Sequence, residues 1–406
     1  MNHTAYDVVI IGAGPSGSLC ARDLARAGYS VLLCEKRPVV GVPVRCGEAT
    51  GPRKRLGDFM TVNEDFIESA FTGVIMHGSG GTTIRYDADK EIGVMLDRRV
   101  FDQDVANQAV REGAELRTDA RVTNISPVAN GHRRVSIEYG GKSHEVDAKM
   151  VVGADGAESL SGRWMGLKSR QLPPLTCTAI ELRVKAQDPN PNHLTFWQGH
   201  DTINKGYIWV FPKLKSGVIN LGSGEIVPKL GARNMYQLSM EYAEKLYPGA
   251  EIEEVHGGCV PVSGHLAEYT TERFALCGDA AHHTNPLTGG GIMAGLVAGE
   301  TLAQWIDKGF KQGGDFSAAF LKGYEQALWE RNGRNHRKEA RIRDFVLGLG
   351  PRDQEWFYRI LKGMVDGMHD GKMSLPTKVA GFAQLGAMAV KNWGHTRKVW
   401  KSPDFA

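Results

Sequence analysis

The sequence predicts an α/β fold on three observations. Val8-Val9-Ile10-Ile11 runs without a polar residue into a glycine turn and a helical stretch, and Phe274-Ala275-Leu276-Cys277 does the same. Between them, residues 172–260 are strand-rich, with turn signals and tryptophans. An unbroken apolar run suits a parallel strand buried on both faces. The expected architecture is a Rossmann-type nucleotide-binding domain assembled from separated segments, an inserted antiparallel β-sheet domain and a helical C-terminal region.

The elements follow in order. Residues 18–27 have helical spacing, with Leu19, Cys20 and Leu24 on one face, and Gly28 sits where a helix-terminating glycine belongs. Val31 to Cys34 forms the second strand. Residues 38–57 are rich in Gly, Pro and Arg and show no periodicity, the mark of a functional loop. A helix is expected over 101–112, strands over 135–152, and a helix over 291–306. From about 315 the chain reads as helical and more basic.

Composition removes several classes of function. A net charge of +3 on 406 residues, with no long basic run, argues against nucleic-acid binding. The six cysteines are scattered and never in CxxC spacing, which fits a reduced intracellular protein without a zinc site. His282-His283 has no accompanying ligand set, so no metal is expected. No signal-peptide pattern opens the chain, and no apolar stretch reaches the roughly 20 residues of a membrane span. A cytoplasmic location is expected, with membrane contact at most peripheral, on the inner face of the cell membrane.

Gly12-Ala13-Gly14-Pro15-Ser16-Gly17 stands between strand and helix. Glycines there permit a tight turn and close approach of a pyrophosphate, which the helix N-terminus favours. Glu35 ends the second strand, placed to accept hydrogen bonds from ribose hydroxyls and to repel a 2′-phosphate. This chemistry alone leaves FAD and NAD both open.

Later motifs choose between them. Asp155-Gly156 and Gly278-Asp279 each follow a strand, and Pro286 and Gly289-Gly290-Gly291 precede a helix. The set resembles the FAD superfamily typified by aromatic hydroxylases. The resemblance implies that Asp279 holds the ribityl chain and that Gly290, Gly291 and Ile292 face the flavin. It also places Lys36, Arg98 (or its neighbour Arg99), Val122 and Asp155 at the cofactor.

Two further stretches narrow the family. Pro43-Val44-Arg45-Cys46-Gly47-Glu48 resembles the PxRCGE segment of geranylgeranyl reductases, and Tyr207-Ile208-Trp209-Val210-Phe211-Pro212 resembles their YxWxFP motif, with Gly222-Ser223-Gly224 downstream. The likeness runs from residue 6 to about 305. It implies an FAD-dependent reductase of polyisoprenoid chains, with Arg45, Cys46 and Gly47 along the flavin. Tyr207, Trp209 and Phe211 alternate, so in a strand they share one face and form an apolar wall; core packing explains the same pattern. Cys46 is the first candidate proton donor, with Arg45 expected to lower its pKa, and Tyr207 is the second.

The expected division is 1–60, 97–165 and 268–310 for FAD, 61–96 and 166–267 for the substrate sheet, and 311–406 for the helical region. Electrons would come from NAD(P)H or a ferredoxin-like protein, since one complete dinucleotide fingerprint is present. The nearest rival is an FAD-dependent monooxygenase or halogenase. Residues 330–401 carry 15 Lys/Arg against 7 Asp/Glu. Within them, 382–400 has the composition of a helix lying on an anionic membrane, or of one packed on the body.

Overall fold

The computed structural model describes residues 4–169, 176–226, 234–369 and 372–401. The strand Ala5–Ile11 lies between Val31–Cys34 and the last half of Lys142–Gly153, parallel to both. Val8, Val9, Ile10 and the whole of Val31–Cys34 are buried, as expected of a sheet covered on both sides. Lys142–Gly153 has two partners in succession. Its first half pairs antiparallel with Arg133–Tyr139, and its end pairs parallel with Phe274–Leu276. That last pairing brings the two distant strand–turn elements into one sheet, on either side of Lys142–Gly153.

The helix Pro15–Arg26 begins with proline at its first turn, where the missing N–H costs nothing. It packs against the helix Ile292–Lys311 through small residues. A Cβ on Gly299 would stand 2.4 Å from the Ser16 carbonyl oxygen, and one on Gly295 would stand 2.6 Å from the Ser16 hydroxyl. Only glycine permits this approach.

A seven-stranded sheet forms the second layer. The strands Glu251–Pro261, Thr176–Lys185, Val218–Ile226, Ile203–Lys213 and His193–Gly199 pair antiparallel in that order. Gly73–His77 then joins parallel to His193–Gly199 and carries Thr83–Asp87 at the edge. A small separate sheet of Ala49–Thr50, Gly93–Leu96 and Ile67–Phe71 packs against the strand Ile203–Lys213.

Three local expectations needed revision. The helices start earlier or end later than read: Pro15–Arg26, Arg98–Arg111 and Ile292–Lys311. The segment 38–57 contains the short strand Ala49–Thr50 and the helix Arg53–Gly57. The strand-rich region also holds a helix, Met235–Leu246, capped by the Asn234 side chain, whose oxygen accepts from the Tyr236 N–H. It buries Met235, Leu238 and Ala243 against the sheet. The C-terminal region is helical, including a π-helical turn at Trp329–Gly333.

Candidate active site

Three segments converge. The first is the loop carrying Cys46. A Cβ on Gly47 would lie 3.1 Å from the Phe211 ring and 3.5 Å from Trp209 Nε1, so this loop lies directly on the aromatic strand. The second segment is that strand. Tyr207, Trp209 and Phe211 do share a face: their ring centroids follow one another at 5.9 and 6.3 Å. Phe196, on the neighbouring strand, joins them edge-on at 5.5 and 5.3 Å. Leu194, Met95 and Phe71 complete the apolar cluster. The third segment is the turn 278–291. Tyr207 donates its hydroxyl proton to the Thr288 carbonyl, and a Cβ on Gly289 would meet that hydroxyl at 3.4 Å.

Cys46 and Asp279 are linked electrostatically by Arg98. The Arg98 guanidinium stands beside the Cys46 sulfur and near Asp279, and is held by a two-pronged pair with Asp102 at 2.6 and 2.7 Å. Its backbone N–H donates to Glu48 at 2.7 Å. Burial pushes the Cys46 thiol up, against the opposing pull of Arg98 and of the Glu48 N–H donated to the sulfur at 3.3 Å. At neutral pH the group is therefore a thiol that carries its proton. Burial likewise raises Asp279, opposed by Thr284, which donates to one carboxylate oxygen at 2.8 Å. The other oxygen receives no hydrogen bond from a described residue.

The glycine turn is built as its motif predicts. Gly12 has φ +104°, and a Cβ there would lie 2.3 Å from the Ala154 oxygen. A Cβ on Gly17 would lie 2.1 Å from the Gly12 oxygen. At Gly14, by contrast, a Cβ would meet nothing within 4 Å, so the outer side of the turn is open. Gly278, at φ +66°, packs on Ser16: a Cβ would stand 2.3 Å from its hydroxyl. The two turns thus face each other across the same end of the sheet. Gly291 caps the helix that starts at Ile292, and Gly290 donates its N–H to Thr288 Oγ1 at 3.2 Å.

A family model described as lycopene cyclase protein matches residues 7–380. A digeranylgeranylglycerophospholipid reductase of Methanococcoides burtonii is 34% identical over 79% of this chain and 79% of its own length. The chain belongs to the geranylgeranyl reductase family of FAD-dependent oxidoreductases. A solved structure described as a geranylgeranyl bacteriochlorophyll reductase-like protein, from Thermoplasma acidophilum, superposes with a TM-score of 0.86 at 28% identity, covering 96% of this chain and 99% of the other. A flavin-dependent halogenase, CmlS, superposes with a TM-score of 0.71 over 95% of this chain and 78% of its own, but at 18% identity it shares the fold alone.

Within this family member, several residues expected at the cofactor are otherwise engaged. Asp155 accepts four hydrogen bonds from its own turn: Ser159 and Ser161 hydroxyls at 2.8 and 2.7 Å, and the N–H groups of Leu160 and Ser161 at 2.8 and 3.0 Å. Its acceptors are spent on capping. Val122 points into the core. Arg45 is half-exposed and pairs with Glu158 at 3.4 Å, so the cation that opposes the rise in the Cys46 pKa is Arg98. Arg99 pairs instead with Glu254 at 2.6 Å. Glu35 accepts from the Ala13 N–H at 3.1 Å and the Arg37 N–H at 3.0 Å, bracing the glycine turn; Lys36 is exposed. Tyr207 has its proton committed to Thr288 and its pKa pushed up by burial, which makes it a poor acid.

Sequence reading missed a buried charged cluster on the same face of the sheet as the wall. Glu48 accepts from Lys213 Nζ and Asn220 Nδ2, both at 2.7 Å. Glu181 accepts from Trp209 Nε1 at 3.3 Å, and burial beside Glu48 raises its pKa well above the usual carboxylate range. The signal was present, since Glu48 ends the first motif stretch and Lys213 directly follows the second. Among the described residues, no group of three or more His, Cys, Asp or Glu side chains is arranged to hold a metal. His282 bonds Ser263 at 2.8 Å, and the His283 ring lies 4.6 Å from that of His265.

Proposed function

We propose that this protein binds FAD and saturates carbon–carbon double bonds of a geranylgeranyl-type polyisoprenoid lipid. The observation that carries the reading is the meeting of the Cys46 loop, the Asp279 turn and the aromatic wall. Residues 1–60, 97–165 and 268–310 hold the cofactor; 61–96 and 166–267 hold the substrate. The open side of Gly14 and the helix N-terminus behind it suit a pyrophosphate. The spare oxygen of Asp279 suits a ribityl hydroxyl. When bound, the flavin supplies the hydride.

The protein's own part is proton delivery and shielding. An isolated alkene is a poor hydride acceptor until a proton is placed on one carbon. Cys46, held as a thiol, supplies that proton. The faces of Trp209, Tyr207, Phe211 and Phe196 exclude water from the developing cation. They stabilise it by about 2 kcal/mol through cation–π attraction when desolvated. The electron source is NAD(P)H bound in passing or a ferredoxin-like protein.

The test is turnover of geranylgeranyl lipids by the anaerobically reduced enzyme. Cys46→Ala should lower the rate 10²- to 10⁴-fold, the usual range for losing a general acid, while flavin content is unchanged. Full turnover by both Cys46→Ala and Cys46→Ser would remove the thiol from the mechanism. Oxygen consumption coupled to hydroxylation would favour the monooxygenase alternative.

A further inference from the structure

Helix Leu375–Lys391 has two apolar faces, and one is bare. Gly381 and Met388 are buried, and Leu385 packs with Leu349, Ile360 and Met364. A second row points to solvent: Leu375, Val379, Phe382, Val390 and the following Trp393 are 74, 61, 64, 70 and 62% exposed. Gly386 fills the gap in the row and is exposed too. Steps of three and four residues keep Leu375, Val379, Phe382, Gly386 and Val390 on one side of the helix. Single exposed apolar residues are ordinary, but four in a row on one helix, continued by Trp393 at the start of the next, mark a contact surface.

Charge says what the contact is. Residues 372–401 contain no Asp or Glu and six Lys or Arg. Lys372, Lys378, Lys391, Arg397 and Lys398 are exposed along the row and beyond its end. Among the described residues, Lys391 alone of these has an ion-pair partner, Asp353. Bare hydrocarbon edged by unopposed cations, with a tryptophan near one end, matches an anionic lipid surface in which the apolar row sinks to the headgroup boundary. Among the described residues no helix is long and apolar enough to cross a membrane, so the contact lies in the interface plane. The helix breaks at Asn392, so the face spans 375–393 rather than the 382–400 that composition suggests.

We infer that Leu375, Val379, Phe382, Val390 and Trp393 form a docking face for an anionic bilayer. The inference concerns where the protein sits and is read without turnover, so its failure would leave the reductase reading intact. The experiment is co-sedimentation of the full chain with vesicles of phosphatidylcholine, with and without phosphatidylglycerol, across a salt series. Wild type should bind the anionic vesicles, more weakly as salt rises. The double variant Val379→Glu/Phe382→Glu should bind at least tenfold more weakly, with unchanged circular dichroism. Val110→Glu, an exposed valine elsewhere, should bind as wild type. Equal binding by the double variant, or none by wild type, would overturn the assignment. So would concentration-dependent dimerisation that the double variant abolishes without vesicle binding, which would give the face to a second copy.

Discussion

Asp155 and Asp279 stand in turns that look alike in sequence: each follows an apolar strand and sits beside a glycine. In space they differ. Asp155 accepts four hydrogen bonds from residues within its own turn, whereas Asp279 accepts one, from Thr284, and otherwise faces Arg98 and the glycines that open the next helix. A carboxylate whose acceptors are filled locally is a structural cap. One that keeps an acceptor to spare is free for the ligand proposed above. A motif gives the residue type; only the count of filled acceptors separates the two roles.

The largest effect should come from the capped carboxylate. Asp155→Ala leaves two N–H groups and two hydroxyls without their acceptor, and should cost about 3 kcal/mol of stability. Chemical denaturation would register this, while flavin content per folded molecule stays near wild type. Asp279→Ala should do the reverse. Flavin affinity should fall roughly 10- to 100-fold, the value of one or two hydrogen bonds to a charged group, with stability of the apoprotein little changed. Flavin titration of the two variants side by side breaks the comparison if their effects are exchanged.

A smaller effect sharpens it. The turn after Asp279 runs into buried histidines, and the Asp155 turn does not. Burial lowers His265 to about 3 and His282 and His336 to about 4. These groups are neutral in the folded state and titrate near 6.5 when unfolded. Their contribution is complete above about pH 6.5 and is lost as pH falls toward 4, because the unfolded chain binds the protons first. Each such group should cost about 2 kcal/mol between pH 7 and pH 5. His336→Gln should flatten the fall of stability over that window; an unchanged slope would mean that His336 is already protonated in the fold.

The pattern of legibility follows the same physics. The parallel strands, the glycine turn and the aromatic row were readable because unbroken apolar runs, close-approach glycines and period-two spacing are local signals. The helix Met235–Leu246 was not, because it sits inside a strand-rich stretch and is specified by packing on the sheet. Arg98 was favoured over Arg99 only by resemblance, since adjacent arginines differ only in which neighbour they find: Asp102 and Cys46 for one, Glu254 for the other. Glu181 carried no motif, and its meaning arises from Trp209 and Glu48 folding against it.

If a flavin sits between the Cys46 loop and the Asp279 turn, against an apolar wall that receives an alkene, its electrons must pass to the lipid. The most direct measurement is a single anaerobic turnover. Flavin-loaded protein is photoreduced, mixed with a geranylgeranyl lipid and followed by absorbance and lipid mass. The flavin should reoxidise as the lipid gains two hydrogens per flavin. A flavin that stays reduced until air is admitted, with the lipid unchanged, would contradict it.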